Sequence, residues 1–321
     1  MKNSTIKIFN FMKLKNTFTL LSLFLIISSF ILLGTRGLNM GVDFNGGTLI
    51  QLQYKDKPVI EKVRQIIAKD STFGSSTVSK FGNNNEITIK TIVSSNNVAN
   101  DLNSYIKNIL KETGEFEIRR IDMVGPKVGE ELTKNGLLSM FLALLSIFIY
   151  VYFRFEWKFS LSSIIPLFHD IIITMGLLSL FRIEVNLDVL AALLTIIGYS
   201  LNDTIIIFDR IRENVVKVKD NLDNIINYSI SSTLSRTLIT SLTTLLVVIS
   251  LTLFGGDIIK PFSITLLMGI IIGTYSSIYV ASSGLTYLKF DVKNYTAMMN
   301  EKDRQRKEKD KLRNQFENGV V

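Results

Sequence analysis

The sequence predicts an α-helical polytopic membrane protein with six transmembrane helices and one small α+β domain between the first two. Three observations carry this prediction. Of the 321 residues, 47% are hydrophobic and only 20% are charged, and the mean hydropathy is +0.31. Six apolar stretches are long enough, or nearly so, to cross a bilayer core of about 30 Å. About 100 residues separate the first two stretches, which is enough for one small folded domain.

The six predicted transmembrane helices alternate across the membrane. They cover residues 17–34, 136–153, 159–181, 187–208, 237–254 and 262–288. Lysines precede the first helix and no small-x-small cleavage site follows it, which indicates an uncleaved signal-anchor. Basic residues hold the cytoplasmic side, so residues 1–16 and the basic tail, 289–321, are predicted to be cytoplasmic. The 35–135 domain is then extracytoplasmic, although a loop this long follows the rule poorly.

The extracytoplasmic domain, residues 35–135, is predicted to have a ferredoxin-like fold. Alternating apolar residues predict strands, of which TLIQLQY (48–54) is the clearest, and helical spacing predicts a helix over KPVIEKVRQIIAK (57–69). The complete order is β-α-β-β-α-β, the split-βαβ arrangement. This fold hosts many unrelated functions, and the domain has no convergent catalytic residues. We therefore expect a binding or moving element rather than an enzyme.

The composition also excludes several kinds of site. The chain has no cysteine, so disulfides and thiolate metal sites are excluded, and its one histidine excludes a multi-histidine metal site. We expect no metal and no catalytic residues. The net charge of +8 is explained by basic residues on the cytoplasmic side, so nucleic acid is not an expected partner.

The fourth predicted helix carries Asn202 and Asp203 in an otherwise apolar run. At a rise of roughly 1.5 Å per residue, Asp203 lies about 7 Å inside the cytoplasmic end. A charge at the centre of a membrane helix costs roughly 2.5–3.5 kcal/mol, so such residues usually mark ion or substrate paths. Tyr199 shares the helix face of Asp203. The alternative is that Asp203 only locks helix packing.

Three further ionisable residues lie within or near the predicted helices. The third helix holds His169 and Asp170 near its centre, and the histidine either titrates near neutral pH or is structural. Arg236 begins the hydroxyl-rich fifth helix, where it either snorkels to the headgroups or pairs with an acid on the fourth helix. The residues alone leave both alternatives open.

Small residues predict close helix packing in the last span. Four of them recur at four-residue spacing on the sixth helix and form a small-xxx-small ridge, and one glycine of the fourth helix is assigned the same role. These residues are Gly269, Gly273, Ser277, Ala281 and Gly198.

Several blocks between residues 35 and 290 carry a family resemblance. They are MGVDFNGGTLI (40–50), MVGPKVGEEL (123–132), HD (169–170), AALLTIIGYSLNDTIIIFDRIREN (191–214), SRTLITSLTTLLVVISLTLFGG (235–256) and GTYSSIYVASS (273–283). In order and spacing they resemble SecF, the bacterial protein-export membrane family of the SecD/SecF group. The long block ending in DRIREN is the most specific, and SLNDT with the small single outer domain favours SecF over the related SecD.

The resemblance implies a six-helix bundle of the resistance-nodulation-division type in the bacterial inner membrane, with SecD as its pseudo-symmetric other half. It implies an accessory role at the SecYEG channel, where the pair uses the proton gradient to help draw an unfolded preprotein outward. YajC and YidC are further candidate partners, and protons replace any cofactor. Asp203 and Arg236 match the proton-coupling residues of the family, and Asn202, Asp170 and His169 are weaker candidates.

Two glycine clusters join the outer domain to the first two helices. They suit hinges of a moving domain, although they suit tight turns equally. The residues are Gly41, Gly46, Gly47, Gly125 and Gly129. Other functions consistent with the residues are a stand-alone exporter of small molecules or lipids, and a scaffold in which the buried charges are only structural. A membrane-embedded protease or synthase is the most distant, because no serine–histidine or paired-aspartate site is present.

Overall fold

The computed structural model describes residues 7–70, 73–74, 76–80, 85–91 and 102–317. The helices and strands of these residues, in chain order, are α1 Lys15–Arg36, β1 Asn39–Met40, α2 Val42–Asn45, β2 Gly47–Tyr54, α3 Ile60–Lys69, β3 Thr77–Lys80, β4 Glu86–Thr91, α4 Leu102–Ile109, β5 Phe116–Val124, α5 Pro126–Arg154, α6 Trp157–Leu180, β6 Glu184–Val185, α7 Leu187–Lys217, α8 Leu222–Phe254, α9 Gly256–Ser276, α10 Ser282–Tyr287 and α11 Val292–Glu317. A π-helical turn, Ser277–Ala281, joins α9 to α10.

Six helices are long and apolar enough to cross a membrane, as the sequence predicts. We call α1, α5, α6, α7 and α8 the first to fifth spans, and α9, the π-helical turn and α10 together the sixth span. The most apolar windows of the third, fourth and sixth spans are 61%, 50% and 56% buried, against 11%, 11% and 17% for the first, second and fifth. The third, fourth and sixth spans are therefore the centre of the bundle.

The predicted sheet domain is confirmed. Its four strands lie in the order β3-β4-β2-β5 with every neighbouring pair antiparallel, which is the strand order of the ferredoxin-like fold. Alternate residues of β2 face the core, where Ile50 and Leu52 are fully buried against Val63 of α3 and Ile106 of α4. The N-terminal part of the second predicted helix lies outside the described residues.

The glycine clusters form tight turns and close contacts. Gly46 and Gly47 have φ of +72° and +134°, a region that favours glycine, and they turn the chain from α2 into β2. Gly41 is extended, and its N–H donates to the Val185 carbonyl at 2.7 Å. These three residues lie in ordered turns and pairings.

The second span begins ten residues earlier than predicted, at Pro126 instead of 136. Gly125 caps this helix and the proline occupies its first turn, where a missing N–H costs nothing. Gly129 lies inside the helix, and a Cβ there would come within 2.8 Å of the Phe44 carbonyl oxygen. Gly129 therefore allows α2 to pack directly on the second span, and its role as a hinge stays a prediction.

The turn between the third and fourth spans fastens the sheet domain to the bundle. Strand β1 pairs in parallel with β6, with Asn39 opposite Glu184. The Lys90 ammonium of β4 forms an ion pair with the Glu184 carboxylate. The Leu187 N–H donates to the Asp43 carboxylate at 3.0 Å. Three different interactions thus converge on one short turn.

The packing ridge of the sixth span faces the fourth span. A Cβ on Gly269 would lie 2.1 Å from Ile196, and one on Gly273 would lie 3.2 Å from Ser200, while Ser277 and Ala281 are fully buried. Gly198 differs: it is exposed, and nothing lies within 4 Å of its Cβ position. In the described part of this chain Gly198 is therefore not a packing glycine, contrary to the prediction.

We expect Gly269→Ala to lower the free energy of unfolding by about 1–3 kcal/mol, because the added methyl group overpacks the contact with Ile196. Gly198→Ala is the matched control on an open helix face, where alanine is expected to be neutral or to stabilise by up to about 1 kcal/mol. Reversible unfolding of the purified chain in detergent measures both. Equal losses would contradict this account of the packing.

The ion pair between Lys90 and Glu184 is partly buried, with side-chain exposures of 29% and 24%. Lys90→Glu or Glu184→Lys alone places like charges together and is expected to destabilise the docking of the sheet domain. The double exchange is expected to recover most of the loss, with a coupling of roughly 0.5–3 kcal/mol in thermal unfolding. The exposed pair Glu61–Arg64 of α3 is the control, with about 0.2–0.5 kcal/mol expected. Additive losses at positions 90 and 184 would refute the contact.

Candidate functional site

The fourth span is a continuous helix from Leu187 to Lys217, so its polar residues sit on regular helical faces. The Asn186 side chain caps its first turn by accepting from the Val189 N–H at 3.0 Å. The span packs against the fifth and sixth spans and also contacts the third. Residues on its buried face therefore meet three other helices.

Asp203 is 1% exposed, and its Oδ2 has no hydrogen-bond partner among the described residues. The Tyr199 hydroxyl, one turn away on the same helix, is also buried without a hydrogen-bond partner in the described chain. The same holds for the Thr237 hydroxyl on the neighbouring fifth span. Buried polar atoms without a partner are rare and costly. The region around Asp203 thus has hydrogen-bonding capacity that this chain leaves unused.

Arg236 does not form the direct pair with Asp203. It lies on the exposed face of the fifth span, and within the described chain no ion pair within 4.0 Å joins it to Asp203. It is near enough to attract the carboxylate electrostatically. The two residues are therefore neighbours across the fourth and fifth spans with a gap between their charged groups.

The polar stripe around Arg236 is turned away from the bundle. Thr240 and Thr243 are exposed, and their hydroxyls donate to carbonyls of their own helix, at 3.0 Å and 2.9 Å. Asn202 is exposed as well, on the fourth span. In contrast, Ser241 reaches Thr274 of the sixth span at 2.9 Å. Arg236, Asn202 and the two exposed threonines therefore face away from the described bundle.

Asp170 lies in a buried site where both of its carboxylate oxygens have hydrogen-bond partners. It is 1% exposed, and its Oδ1 is 2.8 Å from His169 Nδ1. Its Oδ2 accepts from the Ser200 hydroxyl of the fourth span at 2.6 Å and from the Ser276 hydroxyl of the sixth span at 2.8 Å. The carboxyl group therefore joins the three central spans.

The same network reaches the first span through the histidine. His169 Nε2 is 3.1 Å from the Ser22 hydroxyl, which is 2.7 Å from the Tyr275 hydroxyl. Tyr275 donates in turn to the Phe18 carbonyl at 2.7 Å. His169 and Asp170 thus hold four spans together, where the sequence left open a structural or a titrating histidine.

The π-helical turn, Ser277–Ala281, lies directly beside both aspartate regions. Ser277 donates to the Ser200 carbonyl at 3.2 Å and accepts from Thr204, the residue after Asp203, at 3.2 Å. π-helical turns inside α-helices occur frequently at functional sites. The sixth span therefore changes its winding at the level where it meets the polar residues of the fourth span.

Ser22, Ser200, Tyr275 and Ser276 are the site residues that sequence reasoning missed. Each is a hydroxyl in an apolar helix, and helical periodicity marks none of them as different from ordinary packing serines. Their role follows only from the way four spans meet around Asp170. The quoted segment GTYSSIYVASS, which contains two of them, was the available signal.

Comparisons with known proteins agree along nearly the whole chain. Residues 105–291 match the family described as protein export membrane protein SecD/SecF, C-terminal, and residues 31–57 match the SecD/SecF GG motif. Protein translocase subunit SecF of Helicobacter pylori J99 is 45% identical over 317 residues, 98% of both chains. The subunit of the same name from Escherichia coli O157:H7 is 41% identical over 281 residues, 86% of this chain and 87% of the relative.

Solved structures give the same result. SecDF of Thermus thermophilus, described as a translocon-associated membrane protein, superposes with a TM-score of 0.80 at 33% identity. The alignment covers 91% of this chain and 40% of that one. A second structure, SecDF in a super-membrane-facing form, gives a TM-score of 0.65 at 32% identity over 94% of this chain and 40% of the other. This chain therefore spans less than half the length of the solved relatives it matches.

Proposed function

Because this chain belongs to the SecD/SecF family of protein-export membrane proteins, we propose that it is a non-enzymatic subunit of the protein translocase that uses the proton gradient to assist late preprotein translocation. The observation that carries the proposal is Asp203, a carboxyl group buried in the bundle without a hydrogen-bond partner in the described chain. The unpaired oxygen of such a group can take up and release a proton without breaking a hydrogen bond. Protons are then the coupling ion, and no other cofactor is required.

The energy available is sufficient to bias a conformational change. One proton moved across 100 mV yields roughly 2.3 kcal/mol. How tightly a buried carboxyl group holds its proton depends on nearby charge and on contact with water. Arg236 stands close to Asp203 but does not touch it, so a small shift of the fifth span changes the field at the carboxyl group. Proton binding and helix position are coupled in this way.

We further propose that SecD covers the exposed polar face of the fifth span. Arg236, Thr240 and Thr243 would otherwise face lipid, where polar groups are costly. The Thermus relative carries a chain more than twice as long, which supports a second half beside this one. SecYEG, YajC and YidC follow as further partners, and the unfolded preprotein as the cargo at the sheet domain.

The same proposal fixes the orientation. The sheet domain faces the extracytoplasmic side of the inner membrane, and both termini face the cytoplasm. The first span and the turn at Glu184 then carry motion of the bundle to the sheet domain, because both are joined to it directly. In this mechanism the domain moves as one body on the two spans that flank it.

The test is Asp203→Asn in membrane vesicles that translocate a preprotein. We expect the gradient-stimulated part of translocation to be lost, while ATP-driven translocation and co-purification with SecD are kept. Asp209→Asn, one to two turns further along the same helix, is the matched control, because this carboxylate is partly exposed and pairs with Arg154. It removes the same charge and is expected to retain gradient stimulation.

If the Asp203→Asn chain assembles and translocation still responds to the gradient, proton coupling through this residue is wrong. The buried charges then serve only the packing of a scaffold subunit. Loss of assembly in Asp203→Asn but not in Asp209→Asn would point to the same scaffold role.

A further inference from the structure

The hydrogen bonds of the buried network around His169 determine how many protons its polar groups carry. This number indicates a function for the network. A carbonyl oxygen only accepts, so in the 2.7 Å contact with the Phe18 carbonyl the Tyr275 hydroxyl uses its one proton as donor. The Ser22 hydroxyl, 2.7 Å from the Tyr275 hydroxyl, must then donate to it. Ser22 has no proton left for any other contact.

The direction of the remaining bonds follows. Since Ser22 can only accept from His169 Nε2 at 3.1 Å, Nε2 carries a proton. The contact of 2.8 Å between His169 Nδ1 and Asp170 Oδ1 then needs one more proton, either on the ring or on the carboxyl group. Without it, two lone pairs would face each other. The closed network therefore holds one exchangeable proton between Nδ1 and Oδ1.

We propose that His169 and Asp170 form a proton-dependent clasp that holds the first span to the centre of the bundle. With the proton present, the imidazole bridges Asp170 to Ser22, as the structure shows. Loss of the proton leaves a neutral imidazole, with its one proton on Nε2, beside a carboxylate. To satisfy the carboxylate, the ring must turn or move its proton to Nδ1. Either change takes the Nε2–H away from Ser22, whose own proton is already donated to Tyr275, so the bond to Ser22 is lost.

The first span is the element most sensitive to such a change. Only 11% of its most apolar window is buried, so most of its surface faces away from the described bundle and its buried contacts lie along one face. Polar contacts lie near its two ends, where Lys15 pairs with Asp223 and the Ser179 hydroxyl donates to the Gly37 carbonyl. The contact between His169 and Ser22 lies between these two ends of the first span. Two residues beyond Gly37, the chain pairs with the turn that fastens the sheet domain.

The other ionisable groups that face the clasp are few. The sixth span presents Tyr275 and, with its ring tilted beside it at 5.8 Å between centroids, Tyr279. The fourth span presents the Ser200 hydroxyl, with Asp203 one turn further along the helix. The first span contributes the Ser22 hydroxyl and the Phe18 carbonyl, neither of which is ionisable near neutral pH. The exchangeable proton therefore belongs to the His169–Asp170 pair.

The clasp extends the proposed function to a second proton site, but its geometry stands without that function. Asp203 lacks a partner in the described chain, whereas Asp170 is saturated with them. The two carboxyl groups thus differ in role: the first, buried without a hydrogen-bond partner, exchanges a proton, and the second uses a proton to join helices.

The first test uses the fact that His169 is the only histidine of the chain. The full chain, labelled with ¹⁵N-histidine and reconstituted in lipid vesicles, gives the nitrogen signals of this residue alone. We expect a protonated Nε2 near neutral pH, either as imidazolium or as the neutral Nε2–H tautomer. A neutral Nδ1–H tautomer with a bare Nε2 under these conditions would overturn the proposal.

The second test measures release of the first span. Ser29 is buried against Gly176 of the third span, and the chain has no natural cysteine, so Ser29→Cys introduces a single thiol. Its labelling by a maleimide is expected to rise with pH more steeply than in Ser29→Cys/Asp170→Asn. In the double variant, the asparagine amide donates permanently to Nδ1 and keeps the clasp closed. Because both chains carry the same cysteine, the double variant also controls for the intrinsic pH dependence of the thiol.

Identical pH profiles in the two chains would show that no proton controls the contact, and would refute the clasp. Neither test measures translocation. A failure here therefore leaves the role of Asp203 in place, and a failure of Asp203→Asn in translocation leaves the clasp in place. The spectroscopic test needs no substitution, so it decides the matter even if the Asp170 variant does not fold.

Discussion

The absence of water from the bilayer core is the constraint on which this structure depends, because each polar group there must find its partner inside the protein. Asp170 meets this requirement fully, through His169 and the hydroxyls of Ser200 and Ser276. Asp203, one turn from Ser200 on the same span, leaves Oδ2 unpaired in the described chain. Two buried aspartates at neighbouring levels of one bundle are therefore in opposite situations. The paired one joins three spans directly and a fourth through His169, and the unpaired one is the group to which the proposed function assigns proton exchange.

The attachment of the sheet domain follows from the same helices. The first span has only one buried face, the second receives α2 at Gly129, and the turn after the third receives both a strand pairing and an ion pair. These contacts lie at the ends of the spans whose middles carry the polar residues. The first span is covalently continuous with the domain. The turn at Glu184, which joins the third and fourth spans, contacts the domain through a strand pairing and an ion pair. In the described chain, the bundle and the domain are therefore in direct contact at several points.

Sequence reasoning predicted the architecture well because period and length are local properties. The six spans and the alternation of β2 could be read directly, and the strand order followed from the order of elements. It could not predict the packing role of Gly129, because glycine signals conformational freedom and close packing equally, and only the position of Phe44 reveals the close packing. It ranked Asp170 below Asp203 without knowing that Ser22, from a distant segment, completes the histidine network. It also could not tell that Gly198 and Asn202 lie on an exposed face, because a single chain does not reveal the surface of its partner.

The central claim is that the Asp203 carboxyl group exchanges a proton within the bundle. Infrared difference spectroscopy between acidic and alkaline pH, on the chain assembled with SecD in lipid vesicles, tests this most directly. The account predicts a protonated-carboxyl band that changes with pH and is missing from the difference spectrum of the Asp203→Asn chain, while the Asp209→Asn chain retains it. Difference spectra that are identical with and without Asp203 would contradict the account.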